Sequence, residues 1–219
     1  MLSPRAVPAR GPERMDMDEA SRTDAPEYAR RLARLESRWW KRLLRVHAPY
    51  ERYLRRLDLG RTLEVGCGIG RNLRALGAAS VGVDHNVTAV GLARGSGRRA
   101  YTPTEFWRSE EAAPGRFDSL LASHVLEHLT LDEAVSLVGS YLGSVHEGGR
   151  VVMITPQERG FRSDPTHCTF LDFAALETLA ARLALDVERR ASFPFPRPVG
   201  RVFAYNEFVL IARHTTRRQ

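Results

Sequence analysis

The stretch Leu63-Glu64-Val65-Gly66-Cys67-Gly68-Ile69-Gly70 leaves this chain few ways to fold. An apolar run opening at Thr62 ends in three glycines at alternate positions. Glycine reaches backbone conformations closed to other residues and lets a ligand approach the main chain closely. A bend of this kind between a buried strand and a helix belongs at the carboxyl edge of a parallel sheet, where doubly wound folds bind their ligands. The spacing is acidic-x-Gly-x-Gly-x-Gly. The nicotinamide fingerprint is G-x-G-x-x-G, with a pyrophosphate on the helix N-terminus. Here the third glycine arrives one residue early, and the loop opens with Glu64. A carboxylate there repels phosphate and suits a cationic ligand, which counts against a nicotinamide-dependent oxidoreductase. The plainer alternative is a glycine turn that holds nothing.

The rest of the chain supports a layered α/β fold. After Thr62–Val65, a helix is expected over 70–76 and a strand over Ser80–Asp84. A helix over Asn86–Ala93 and a weak strand over Arg99–Thr102 follow. Strands are expected over Phe117–Ala122 and Arg150–Thr155, around a helix opened by Thr130 with Glu133 three residues on, a capping box. Asp172 caps a helix with Phe173, Leu176, Leu179 and Leu183 on one face. Leu185–Ala191 and Phe203–Ala212 read as two last strands joined without a helix, hence antiparallel neighbours. Strands separated by helices imply right-handed crossovers and a mostly parallel sheet covered on both faces. Asp84 closes the second strand about eighteen residues after the first glycine, where a carboxylate can accept from ribose hydroxyls.

Composition narrows the partners. The chain carries 33 Lys and Arg against 26 Asp and Glu, a formal charge of +7. Lys41 is the only lysine, so the excess reads as a coding bias toward arginine, and a nucleic-acid partner is disfavoured. No apolar run approaches the roughly 20 residues that span a bilayer, so no membrane partner is expected. Two cysteines, Cys67 and Cys168, make no disulfide framework, and a reducing cytoplasm is the expected setting. His124, Glu127 and His128 do not match H-E-x-x-H, and the cysteines lack C-x-x-C, so no metal is expected.

Leu63–Gly70 followed by Arg71-Asn72-Leu73, and then Val81-Gly82-Val83-Asp84-His85-Asn86, resembles the first two motifs of the class I S-adenosylmethionine-dependent methyltransferases. Phe117–Leu121 with His124-Val125-Leu126-Glu127-His128-Leu129 resembles the fourth motif, and Gly148–Val152 the fifth strand with its turn. The likeness covers about residues 60–185, and the whole chain resembles small actinobacterial members of that superfamily. It implies a Rossmann-like doubly wound sheet of seven strands, mostly parallel with an antiparallel last strand. It implies S-adenosylmethionine as cofactor, with Glu64, Gly66, Cys67, Gly68 and Gly70 framing its methionine end and Asp84 its ribose. His85 or Asn86 would flank the adenosine, and Ser123 and His124 the methionine moiety. The acidic residue that many members place against adenine is missing in its usual form; Glu105 or Thr104 would stand in.

Three domains' worth of organisation follow. Residues 1–24 read as a disordered leader, 25–59 as a helical cap whose Trp39, Trp40 and Tyr50 cover the cofactor mouth, and 60–214 as the methyltransferase domain. Residues 215–219 form a basic tail. Methyl transfer to a hydroxyl or protonated amine is helped by a base, and histidine titrates near neutrality. His167, in the loop Thr155–Thr169, is the preferred base; His124 and His128 are the others, with Glu127 placed to orient either. The expected acceptor is a small molecule attacked through oxygen or nitrogen. The rivals are an RNA or DNA methyltransferase and a non-catalytic module that only binds the cofactor. Against the former, Ser123-His124-Val125-Leu126 stands where exocyclic-amine enzymes carry Asn-Pro-Pro-Tyr.

Overall fold

The computed structural model describes residues 48–215. The expected leader 1–24, the cap up to residue 47 with Trp39 and Trp40, and the tail beyond 215 lie outside the described residues. The described residues open with α1 (Ala48–Arg56) and then alternate: β1 (Thr62–Val65), β2 (Val81–Val83), α2 (Val87–Gly95), β3 (Ala100–Tyr101), α3 (Pro103–Trp107), β4 (Phe117–Ser123) and α4 (Leu131–Leu142). They close with β5 (Val145–Pro156), α5 (Glu158–Phe161), α6 (Phe173–Arg182), β6 (Leu185–Phe193) and β7 (Glu207–His214).

Seven strands form one sheet in the order β3-β2-β1-β4-β5-β7-β6. β1 pairs parallel with β2 and β4, and β4 with β5. β7 lies antiparallel between β5 and β6. This is the seven-stranded, mostly parallel sheet with an antiparallel last strand that the sequence implied.

Both faces of the sheet are covered, so its central strands are apolar throughout. Successive side chains alternate between two cores, as the two-residue period of a strand requires. Leu120, Ala122, Val151, Met153, Leu210 and Ala212 face α4 and α6 through Ala134, Val138, Leu176 and Leu179. Leu121, Val152, Ile154, Val209 and Ile211 face Leu54 of α1 and Leu57 just after it. That second contact seats α1 against the carboxyl half of the sheet.

Local signals decide the helix starts. Thr130 Oγ1 accepts from the Glu133 amide at 3.3 Å, and Glu133 Oε2 accepts from the Thr130 amide at 2.8 Å. Thr130→Ala should therefore lower stability by about 1 kcal/mol, read as a shift in the urea midpoint with an unchanged slope. Asp172 caps α6, accepting from Ala175 N at 3.0 Å.

Three boundaries differ from expectation. The helix expected over 70–76 shrinks to a single 3-10 turn, Asn72–Arg74, after the left-handed Gly70. β5 begins at Val145, because Gly148-Gly149 is an irregularity inside the strand. A side chain at Gly149 would lie 2.5 Å from Val145 and 2.9 Å from the Asp118 carbonyl. β7 begins at Glu207, after a 3-10 turn over Arg197–Arg201. Among the described residues, no helix is long and apolar enough to cross a membrane.

Candidate active site

The carboxyl ends of β1, β2 and β4 converge on the glycine bend. Gly66 N and Cys67 N both donate to the Val83 carbonyl, at 2.8 and 3.1 Å, which folds the bend back over β2. Asp84 holds it there. Its Oδ2 accepts from Gly68 N at 2.7 Å and its Oδ1 from Asn86 N at 2.8 Å. The residue expected to bind ribose thus first organises the loop, with a second lone pair left on each oxygen. Gly66, Gly68 and Gly70 have φ of 73°, 52° and 75°. A Cβ on Gly66 would strike Val125 at 2.5 Å, whereas one on Gly68 would meet nothing within 4 Å. The space above Gly68 is open.

Glu64 lies beneath this loop, 1% exposed. Its Oε1 accepts from Asn72 Nδ2 at 2.7 Å, and its buried Oε2 has no hydrogen-bond partner. Burial pushes its pKa up to about 8; the Asn72 hydrogen bond opposes that shift and the Asp84 charge adds to it. Cys67 contributes only backbone here, because its buried thiol packs where a side chain on Gly82 would otherwise go. His85 is exposed, its Nδ1 3.8 Å from Asp84 Oδ1. Asn86 caps α2 by accepting from Ala89 N at 3.0 Å. Glu105 is engaged elsewhere. It closes a capping box with Thr102 and pairs with Arg94 at 2.7 Å, which with the Thr102 contacts lowers its pKa to about 2.

The end of β4 supplies the second wall. Ser123 Oγ and Tyr50 Oη are 2.6 Å apart, so α1 reaches directly into the site. His124 follows with φ of 56°, a left-handed conformation uncommon outside glycine. That turn aims its ring between two carboxylates. Nε2 is 2.8 Å from Glu207 Oε1, and Nδ1 is 3.4 Å from Glu127 Oε1. Although 42% exposed, the ring sits among enough atoms that burial opposes its charge; the Glu207 and Glu127 carboxylates outweigh burial and hold its pKa well above the ordinary value. The two carboxylates thus favour the charged, donating form of the His124 ring. The Tyr50 hydroxyl is pushed well above its usual range by burial and then by Glu207, with smaller contributions from Glu64 and Glu127. All three carboxylates thus act on one point, in a protein whose overall charge is +7.

The loop after β5 closes the third side. Cys168 N and Thr169 N donate to the Glu127 carbonyl at 2.9 and 3.1 Å, tying the loop to the turn after β4. This brings His167 beside His128, ring centroids 4.8 Å apart. His167 Nε2 is 3.9 Å from Glu127 Oε1. The site therefore unites Glu64, Asp84, Ser123, His124, His128 and His167, and leaves Glu105 outside. Glu207 was missed by sequence reasoning. The available signal was a lone acidic residue opening the apolar run Phe208–Ile211.

The family described as methyltransferase domain matches residues 28–198, well over half of the chain. The chain belongs to that family. It is a class I S-adenosylmethionine-dependent methyltransferase. No protein of curated function matches it. Among solved structures, the chain is similar to one from the complex between the Haloferax volcanii Trm112 methyltransferase activator and its methyltransferase: 13% identity, 90% of this chain and 99% of that one, TM-score 0.65. It is similar to a SAM-dependent methyltransferase from Archaeoglobus fulgidus at 20% identity, 75% of this chain and 92% of that one, TM-score 0.56. It is also similar to the magnesium protoporphyrin IX methyltransferase of Synechocystis with bound SAM, at 16% identity, 78% and 82% coverage and TM-score 0.53.

This methyltransferase's own residues fit its cofactor. The unpartnered Glu64 oxygen and the neighbouring carboxylates suit a sulfonium and an ammonium, and the open space over Gly68 admits a nucleoside against backbone. When bound, S-adenosylmethionine supplies a methyl group already activated by sulfonium.

Proposed function

We infer that this methyltransferase acts on an oxygen or nitrogen of a small-molecule acceptor. The observation that carries the reading is the cluster of Glu127, His128 and His167 beside the cofactor loop, which offers proton-handling groups where an acceptor would stand. His124 is less suited to that role, because the Glu207 and Glu127 carboxylates raise its pKa and favour its charged form. His167 is better placed: its Nδ1 faces the Phe161 carbonyl at 2.9 Å, so in the neutral ring Nδ1 carries the proton and Nε2 the lone pair. Tyr50, Phe161 and Phe193 add aromatic surface around the same side. The Synechocystis neighbour, by its name, acts on a porphyrin, itself a small molecule.

Most of the rate enhancement in such a displacement comes from holding nucleophile and methyl in line, about 7–11 kcal/mol. Deprotonating the nucleophile contributes roughly 10²–10⁴-fold more. His167→Ala should accordingly cut turnover at least about tenfold while cofactor affinity stays within about twofold. Unchanged turnover would remove His167 from the reaction. The acceptor class is tested with labelled methyl donor against phenols, carboxylic acids, amines and bulk RNA. Label entering a small hydroxyl or amine supports the reading, and label entering RNA alone replaces it with a nucleic-acid acceptor.

A further inference from the structure

We propose that Glu127, His128 and His167 together bind one divalent first-row transition-metal ion. One carboxylate oxygen and one ring nitrogen from each histidine lie within 4.8 Å of one another. The sequence concealed this set, because His167 arrives from the loop after β5 and the spacing of the other two matches no metal motif.

Three observations point to a cation. Glu127 is 1% exposed, and neither of its oxygens makes a hydrogen bond. A buried carboxylate without hydrogen bonds is costly, and a bound cation is a direct remedy. His124 Nδ1, 3.4 Å away, offsets part of that charge without a hydrogen bond to either oxygen. Both histidines are also oriented as metal ligands are. His128 Nδ1 faces the Thr166 carbonyl at 3.0 Å and His167 Nδ1 the Phe161 carbonyl at 2.9 Å. A ring that donates one N–H to a backbone carbonyl presents its other nitrogen as a lone pair, the arrangement that fixes metal-binding imidazoles. Asp164 supports this shell by accepting from Thr166 N and Oγ1 at 3.0 and 2.7 Å.

Two imidazoles and one carboxylate select a borderline ion such as zinc, cobalt, manganese or iron over magnesium or calcium, which take oxygen ligands. Ligands at about 2.1 Å from one ion stand about 3.4 Å apart in a tetrahedron, so loading draws the side chains together by about 1 Å. Three protein ligands leave a position open. Its use rests on the acceptor reading above. An acceptor hydroxyl on the ion loses its proton to solvent at neutral pH. The oxygen then forms the new bond to the methyl carbon as the carbon–sulfur bond breaks, and that electron pair stays on sulfur. The His167 lone pair then serves the ion, and the ion replaces it as the group that activates the nucleophile.

The test uses the full-length, tag-free protein, stripped with chelator and titrated with zinc(II) by calorimetry and with cobalt(II) by visible absorption. One equivalent with Kd at or below about 1 µM is expected. Glu127→Gln and His167→Asn should each weaken it at least about 100-fold, with cofactor binding as the check that both fold. His146→Ala, an exposed histidine paired with Asp118 away from the cluster, should bind as the parent does. Substoichiometric binding, or binding that both cluster variants leave unchanged, overturns the proposal. Those results leave methyl transfer untouched. Conversely, an ion that binds as expected while no small acceptor is methylated removes the acceptor reading and keeps the site.

Discussion

Glu64→Gln is expected to move two measurements in opposite directions, raising the stability of the cofactor-free protein at alkaline pH while weakening cofactor binding. Burial holds the Glu64 pKa at about 8, against 4.5 for an ordinary glutamate. Between those values the folded protein keeps a proton that the unfolded chain has released. Stability therefore falls as pH rises through that window, and the loss is complete above about 8. At about 1.4 kcal/mol per unit the gap amounts to several kcal/mol. Glutamine keeps an oxygen to accept from Asn72 and never ionises, so the variant should outlast the parent in urea at pH 9 and match it near pH 5. The same change removes the carboxylate that meets the cationic cofactor. A charge-assisted hydrogen bond is worth about 1.5–3 kcal/mol, so affinity should fall about 10- to 100-fold. In the parent, cofactor binding at pH 7 should release a proton, visible as a buffer-dependent calorimetric enthalpy that fades by pH 9. Undiminished affinity in the glutamine variant would show that Glu64 does not face the cofactor.

The sequence spoke clearly wherever the controlling interactions are local. Thr130 with Glu133, Asp172 before α6 and the apolar runs of β4 and β5 all follow from neighbours within a few residues. The same local signature was present at Thr102 and Glu105 but was not read. Glu105, offered with Thr104 as the residue against adenine, is the third helical residue after Thr102 and completes a capping box. Asp84 shows a subtler limit: its position at the end of β2 was legible, while its bonds to Gly68 N and Asn86 N depend on how the bend folds back. The groups around His124 were least legible because the sheet's topology assembles them. β7 runs antiparallel, so its first residue, Glu207, pairs with Pro156 at the carboxyl end of β5. An antiparallel strand entering a parallel sheet begins where its neighbours end, and that delivers a carboxylate to the site from the far end of the chain. His167 reaches Glu127 by a similar long-range route, through amides of the next two residues.

Alanine at Gly66 and at Gly68 should separate folding from binding within one loop. Both glycines are left-handed, at φ of 73° and 52°, so each alanine carries a backbone penalty of about 1–2 kcal/mol. At Gly66 the new methyl would also lie 2.5 Å from Val125 Cγ2 and 2.6 Å from Val125 Cβ. Val125 cannot swing away at Cβ, and it is held between His124 and the buried Leu126, so overpacking adds about 1–3 kcal/mol. A domain with about 5–15 kcal/mol of net stability loses much of it, and a fall in Tm of roughly 5–15 °C is expected. At Gly68 the methyl meets no protein atom within 4 Å and projects into the open space above the loop. That variant should stay folded, with Tm lowered by only a few degrees, yet lose cofactor affinity at least about 100-fold, because the backbone can no longer be approached closely. Calorimetry with S-adenosylmethionine and with its demethylated product, beside thermal unfolding, reads both outcomes. A Gly68→Ala protein that binds either ligand like the parent would mean that the open space over the bend is not where the nucleoside lies.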